Sequence, residues 1–232
     1  MKKLLMIILI GVLLVGCSNK EKEVSDSIKF KEEYESINGE VSYGDNTYRE
    51  LSIDKDNPII YKSAKDIVEM IDNKETFVVY FGFSTCPWCR SVINNLINVS
   101  KDLEIDTIYY VDVKEIRDVM KLDDDGTIYV SKEGTDEYYD LLDRLNDVLD
   151  DYTLTDKENN EVNTNEKRIY APNIVAIVDG KATKMTTGIS DMQENAYMEL
   201  SDEINKDSYD MIKCVLECIK KEKEVCTLDR NC

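Results

Sequence analysis

Residues 77–83, Phe-Val-Val-Tyr-Phe-Gly-Phe, form an apolar and aromatic run without a single charge. A strand with one wet face alternates apolar and polar side chains. An unbroken run is expected instead for a strand covered on both faces. Such a strand needs helices above and below it, and the flanking sequence supplies them. Ser63 can cap a helix, with Asp66 three residues on and Ile67, Val68, Met70 and Ile71 as its apolar face. After the run, Val92, Ile93, Leu96 and Ile97 fall on one helical face. Ile59-Ile60-Tyr61 and residues 107–113 are further strands. The order β-α-β-α-β predicts parallel pairing inside one sheet.

The rest of the chain is read more coarsely. Residues 28–37 have weak helical character. A short strand is expected at 48–53, and no chemistry is assigned to 39–54. Asp123-Asp124-Asp125-Gly126 is a turn; it lacks the glutamate that a calcium loop carries at its twelfth position. Thr135 can cap a helix carrying Tyr138, Leu141, Leu142, Leu145, Val148 and Leu149. Residues 155–167 are expected to be a polar loop. The run at 174–178, then Asp179-Gly180, then residues 181–187, is a hairpin with a favoured two-residue turn. Helical segments are expected at about 192–203 and 208–223.

Directly after the apolar run stands Cys86-Pro87-Trp88-Cys89. If Cys86 caps a helix, the two thiols lie about one turn apart, within bridging reach. The unpaired amides of the first turn favour a thiolate at Cys86, and Pro87 suits the first helical position. The spacing points to a dithiol that opens and closes as a disulfide. A structural disulfide or half of a zinc site has the same spacing.

Charge and composition exclude several alternatives. The 29 basic and 48 acidic residues give a formal net charge of -19. Nucleic acid is not an expected partner, since phosphate binding needs clustered Lys and Arg. Anionic lipid headgroups would also repel this surface. The chain contains no histidine, which removes Cys-His and Ser-His catalysis and the commonest metal ligand. No metal and no organic cofactor are expected.

Lys2 and Lys3 precede an apolar run at residues 4–15, too short to span a bilayer and suited to a signal peptide. Leu14-Val15-Gly16-Cys17 resembles a bacterial lipobox. That resemblance implies cleavage before Cys17, lipidation of Cys17, and residence on the outer face of the cytoplasmic membrane. The other six cysteines would then lie where disulfides persist. Residues 18–27 are polar and without an aromatic residue, and a flexible tether is expected there.

Residues 78–90, from Val78 through Cys86-Pro87-Trp88-Cys89 to Arg90, resemble the active-site segment of the thioredoxin superfamily. Ala171-Pro172-Asn173-Ile174-Val175 resembles its cis-proline segment, and the hairpin that follows continues the match. The resemblance covers roughly residues 58–188. It implies a three-layer α/β fold, a mixed central sheet flanked by helices, with a helical insertion and a Cys-rich C-terminal helix and tail. Cys86 would be the exposed nucleophile and Cys89 the more buried resolving thiol. Trp88, Ala171 and a cis Pro172 would contact substrate. Two positions depart from the thioredoxin pattern. Tyr80 stands where thioredoxins bury an aspartate, and Pro87-Trp88 replaces Gly-Pro. Trp88 brings no positive charge, so the helix terminus is the one source of acidification at Cys86 visible in the sequence.

Cys214, Cys218, Cys226 and Cys232 remain. They are read as two structural disulfides pinning the tail to its helix. Three pairings are open, and the i, i+4 pair on one helix is disfavoured because its side chains point the same way. A second redox pair and a four-thiolate zinc site are the alternatives.

The expected organisation is a signal peptide at 1–16 and a lipidated tether at 17–27. An N-terminal extension at 28–57 follows, then a thioredoxin-like domain at 58–200 with an insertion at about 114–168. A C-terminal helix and tail close the chain at 201–232. The expected function is extracytoplasmic thiol-disulfide exchange with cysteine-containing proteins, with a membrane electron carrier as redox partner. A non-catalytic peptide-binding or exporter-accessory lipoprotein is the alternative.

Overall fold

The computed structural model describes residues 24–220. Its centre is a five-stranded mixed sheet. The strands are β1 (Ile59–Tyr61), β2 (Phe77–Gly82), β3 (Ile108–Asp112), β8 (Asn173–Val178) and β9 (Lys181–Thr186), in the order β1-β3-β2-β8-β9. The numbers β4 to β7 belong to strands inserted between β3 and β8. β3 pairs in parallel with both β1 and β2, while β8 runs antiparallel to β2 and β9 to β8.

All six residues of β2 are buried, and their alternation feeds two cores. Val78 and Tyr80 face a cluster with Phe30 and Tyr34 of α1 (Asp26–Glu35), Val92, Ile93 and Leu96 of α3 (Pro87–Asp102), and Ile212 and Val215 of α5 (Asp202–Leu216). Phe77, Val79 and Phe81 face Ile67 and Ile71 of α2 (Ala64–Asp72) and Leu141 and Leu145 of α4 (Asp136–Leu145). Helices therefore cover both faces of the sheet. The expected boundaries at 57 and 200 separate no cores, since residues of the N-terminal extension and of α5 share one cluster with β2.

Local signals place these helices. Ser63 and Asp66 form a reciprocal capping box at the start of α2, and Thr135 accepts from the Tyr138 amide at the start of α4. The β8–β9 turn has positive φ at Asp179 (49°) and Gly180 (72°), as a tight two-residue hairpin requires. A side chain at Gly180 would collide with the Ile71 carbonyl and the Lys74 backbone.

Four expectations are corrected. No strand forms at 48–53. Its backbone is taken by side chains of the first helix and the turn after it: Asn38 bonds the Leu51 amide and carbonyl, and Glu35 accepts from the Ile53 amide. Residues 155–167 are not a loop. Strands β6 (Asp151–Thr155) and β7 (Glu161–Lys167) form a hairpin whose faces are mostly wet, and β7, with Val162 its one apolar residue, carries no apolar alternation. The insertion is therefore more than helical, since β4 (Val119–Leu122) and β5 (Ile128–Lys132) form a second hairpin around the Asp123–Gly126 turn. Finally, no helix spans 192–201. Asn195 accepts from the Tyr197 and Met198 amides, an alternative to helical bonding, and α5 begins only at its Ser201 cap.

Arg90, beside Cys89, clamps the N-terminal extension to α3. It is 1% exposed, and its guanidinium donates to the carbonyls of Tyr34 (2.6 Å) and Arg49 (2.5 and 3.0 Å) and to Asn38 Oδ1 (2.5 Å). Arg90→Met would leave these buried acceptors without a donor. A loss of roughly 3 kcal/mol in urea unfolding is expected, by the usual range for hydrogen bonds to a buried charge.

Candidate functional site

The dithiol stands at the junction of β2 and α3. Cys86 is the N-cap residue, with extended backbone (φ -89°, ψ 112°), and its sulfur accepts from the Cys89 amide at 3.2 Å. Pro87 follows in the first turn, where its missing N–H leaves no helical bond unmade. Both cysteines are free thiols.

Cys89 is 0% and Cys86 5% exposed. The expectation of an exposed Cys86 is corrected. Cover comes from a segment 85 residues away, where the Ala171 carbonyl accepts from the Cys86 thiol at 3.2 Å. The Ala171–Pro172 peptide bond is cis. Trp88, Ala171 and Pro172 share an open cavity of about 510 Å³ with Tyr170, Ile189 and Gln193. The structure thus gathers all five predicted site residues of the domain in one place. Three residues before Ala171, Arg168 forms a buried ion pair with Asp118 at 3.1 Å, and its guanidinium lies 3.9 Å over the Tyr152 ring.

The environment divides the two thiols. A hydrogen bond from Cys89 holds the Cys86 thiol below its ordinary range. The Cys89 and Trp88 amides and the Arg117 charge act in the same direction, and burial opposes them. Burial pushes the Cys89 thiol well up, and the neighbouring Cys86 adds to it. Cys86 is therefore the thiol prepared to ionise, and Cys89 the one that keeps its proton.

Arg117 is a residue that sequence reasoning missed, and it corrects the expectation that only the helix terminus acidifies Cys86. It lies in the turn after β3 with its guanidinium 5.1 Å from the centre of the Phe83 ring. From the same turn, Lys114 donates to the Thr85 hydroxyl at 3.1 Å. A signal was present: the β-α-β-α-β order predicts parallel pairing within one sheet, and parallel strands send the loops that leave them to one end of it.

Tyr80 is wholly buried, and its hydroxyl is 3.0 Å from that of Tyr34. Its partner comes from a helix to which no chemistry was assigned. Cys214 and Cys218 are disulfide-bonded and lie on α5 and the 3-10 turn after it, Glu217–Ile219. Lys184 of β9 donates to the Cys214 sulfur at 3.0 Å. The expectations for Cys17, Cys226 and Cys232 fall outside the described residues. Among the described residues, no three Cys, Asp and Glu side chains are arranged to hold a metal ion, and no helix is long and apolar enough to cross a membrane.

Alkylation of native protein should modify Cys86 and spare Cys89. The Cys86 rate should stay high below the ordinary thiol pKa of about 8.5. Arg117→Met removes a cation that favours the thiolate, so its rate–pH curve should move to higher pH; an unmoved curve would discount Arg117.

No family model matches the chain, and no curated protein matches it significantly, so its function is inferred from its motifs and from the chemistry of this site.

Proposed function

We propose that the protein is a thioredoxin-like thiol-disulfide oxidoreductase. One observation carries it: an ionisable helix-capping thiol (Cys86) lies within 3.2 Å of the Ala171 carbonyl, next to the cis Pro172, with a buried partner thiol one turn on. The mixed sheet with helices on both faces supports the same family. Acting as a reductase, the Cys86 thiolate attacks one sulfur of a substrate disulfide. That bond breaks, one substrate sulfur leaves as thiolate, and Cys86 is joined to the other. Cys89, deprotonated, then attacks Cys86 and releases the second substrate thiolate. Two electrons pass to the substrate, and Cys86–Cys89 is left oxidised. The oxidase direction runs the same steps in reverse.

The substrates are cysteine-containing proteins outside the membrane, and a membrane electron carrier resets the dithiol. The lipobox-like Leu14-Val15-Gly16-Cys17 supports attachment through lipid on Cys17. A second reading is favoured by the 5% exposure of Cys86: a scaffold that holds a peptide in the cavity beside Trp88 and Pro172 without exchanging disulfides.

Reduction of a protein disulfide by the reduced protein separates the two. Exchange is expected in the wild type, lost in Cys86→Ser, and halted at a stable mixed disulfide in Cys89→Ser. Activity that survives Cys86→Ser would remove the nucleophile assigned here. A Cys86–Cys89 bond that small thiols do not reduce would favour the scaffold. Cys17→Ala should release the chain from membranes, and unchanged retention would refute the anchor.

A further inference from the structure

Strand order places Cys86 between two different surfaces. β2 ends just before the dithiol, with β3 on one side of it and β8 on the other. β8 runs antiparallel to β2 and β9 to β8, so the start of β8 and the end of β9 lie at the dithiol end of the sheet. They bring the cavity of about 510 Å³ lined by Trp88, Pro172 and Ile189, with Asp191 as its one carboxylate. β3 runs parallel to β2, so the loop that leaves it reaches the same end from the opposite side.

That loop and its flanks carry Asp112, Lys114, Glu115, Arg117 and Asp118. The three carboxylates are engaged. Asp112 Oδ1 accepts from the Lys114 amide at 2.8 Å, Glu115 pairs with Lys132 at 3.2 Å, and Asp118 pairs with Arg168 at 3.1 Å. Among the described residues, neither Lys114 nor Arg117 pairs with a carboxylate. Both instead meet the turn that leads into the nucleophile, which the Cys86 amide closes on the Phe83 carbonyl at 3.1 Å. The Arg117 guanidinium is 5.1 Å from the centre of the Phe83 ring. Lys114 Nζ donates to the Thr85 hydroxyl at 3.1 Å, one residue before Cys86. Lys114 is exposed and Arg117 half-buried. A hydroxyl occupies one of the three ammonium donors and a ring face none of the guanidinium's, so donors remain for an anion.

A thiolate at Cys86 repels a substrate with its own negative charge, and so does a chain of net charge -19. Salt screens charges beyond about 8 Å, so the groups beside the dithiol decide what an incoming anion meets. Resting on the oxidoreductase reading above, we propose that Lys114 and Arg117 form a cationic lip that selects polypeptide disulfides with an acidic residue next to the reacting cysteine. The carboxylate docks on the β3 side. The residue on the other side of that cysteine enters the cavity beside Trp88. Asp191 makes the choice directional, since an acidic residue turned into the cavity would face another carboxylate. The exchange steps are those given above, and the lip forms no covalent bond.

Reduction of two sets of peptide disulfides by the reduced full chain tests this. The sets are symmetric dimers of Gly-Xaa-Cys-Leu-Gly and of Gly-Leu-Cys-Xaa-Gly, with Xaa as Glu, Gln or Lys. Each kcat/KM is divided by the rate at which dithiothreitol reduces the same peptide, which removes differences in intrinsic reactivity. Exposed ion pairs are weak, so the Glu peptide should exceed the Lys peptide by about tenfold, in one set only, with Gln between them. The ratio should approach one in 1 M salt, where screening acts within about 3 Å. Lys114→Glu should abolish or reverse it, and Arg117→Gln should lower it. A change in Cys86 ionisation slows all peptides alike and cancels in the ratio. Equal rates for Glu, Gln and Lys, a preference for Lys, or a ratio unmoved by both substitutions would overturn the lip and leave the exchange activity standing. A wild type that reduces none of the peptides would overturn the oxidoreductase reading and the lip with it.

Discussion

Burial of β2 on both faces is the constraint on which the rest of the structure depends. A strand between β3 and β8 with helices above and below has no wet side, so every polar atom on it needs an internal partner. Its backbone is satisfied by the two neighbouring strands. The hydroxyl of Tyr80 is not, and Tyr34 meets it from α1. The N-terminal extension is therefore part of the core rather than a leader to it. The Arg90 clamp makes the same connection from α3, one residue past the dithiol.

The same burial divides two chemically identical thiols. Cys86 sits at the mouth of the strand, where helix amides and Arg117 favour a negative charge. Cys89 lies one turn deeper, where burial opposes one. The chain is strongly acidic overall, with a net charge of -19. Cations beside the dithiol therefore act against the sign of the whole molecule. Arg90, Lys114 and Arg117 all lie within this small region, and among the described residues none of the three forms an ion pair with a carboxylate.

The inserted hairpins also serve the site. Arg117 and Asp118 open the insertion and Arg168 closes it. The Arg168–Asp118 pair joins its two ends, directly before the Ala171–Pro172 segment that covers Cys86. The insertion thus helps to set the far wall of the cavity beside Trp88.

Much of the architecture was legible in the sequence because it is encoded by spacing. The unbroken run of β2, the Ser63–Asp66 box, the helical period after Cys89 and the Asp179-Gly180 turn are local signals, and each produced its element. The misread segments lack such signals or carry competing ones. The β6–β7 hairpin is mostly wet and β7 is almost wholly polar, Asn195 diverts its own neighbours from helix, and Asn38 and Glu35 take the backbone of 48–53. By itself, the sequence determined that a dithiol would cap a helix at the end of a doubly buried strand. Only the tertiary structure decided what surrounds that dithiol: Tyr34 against Tyr80, Arg117 over Phe83, and the Ala171 carbonyl on Cys86. Those contacts join residues dozens of positions apart. They follow from strand order and from which helix covers which face, and no local pattern in the chain encodes either.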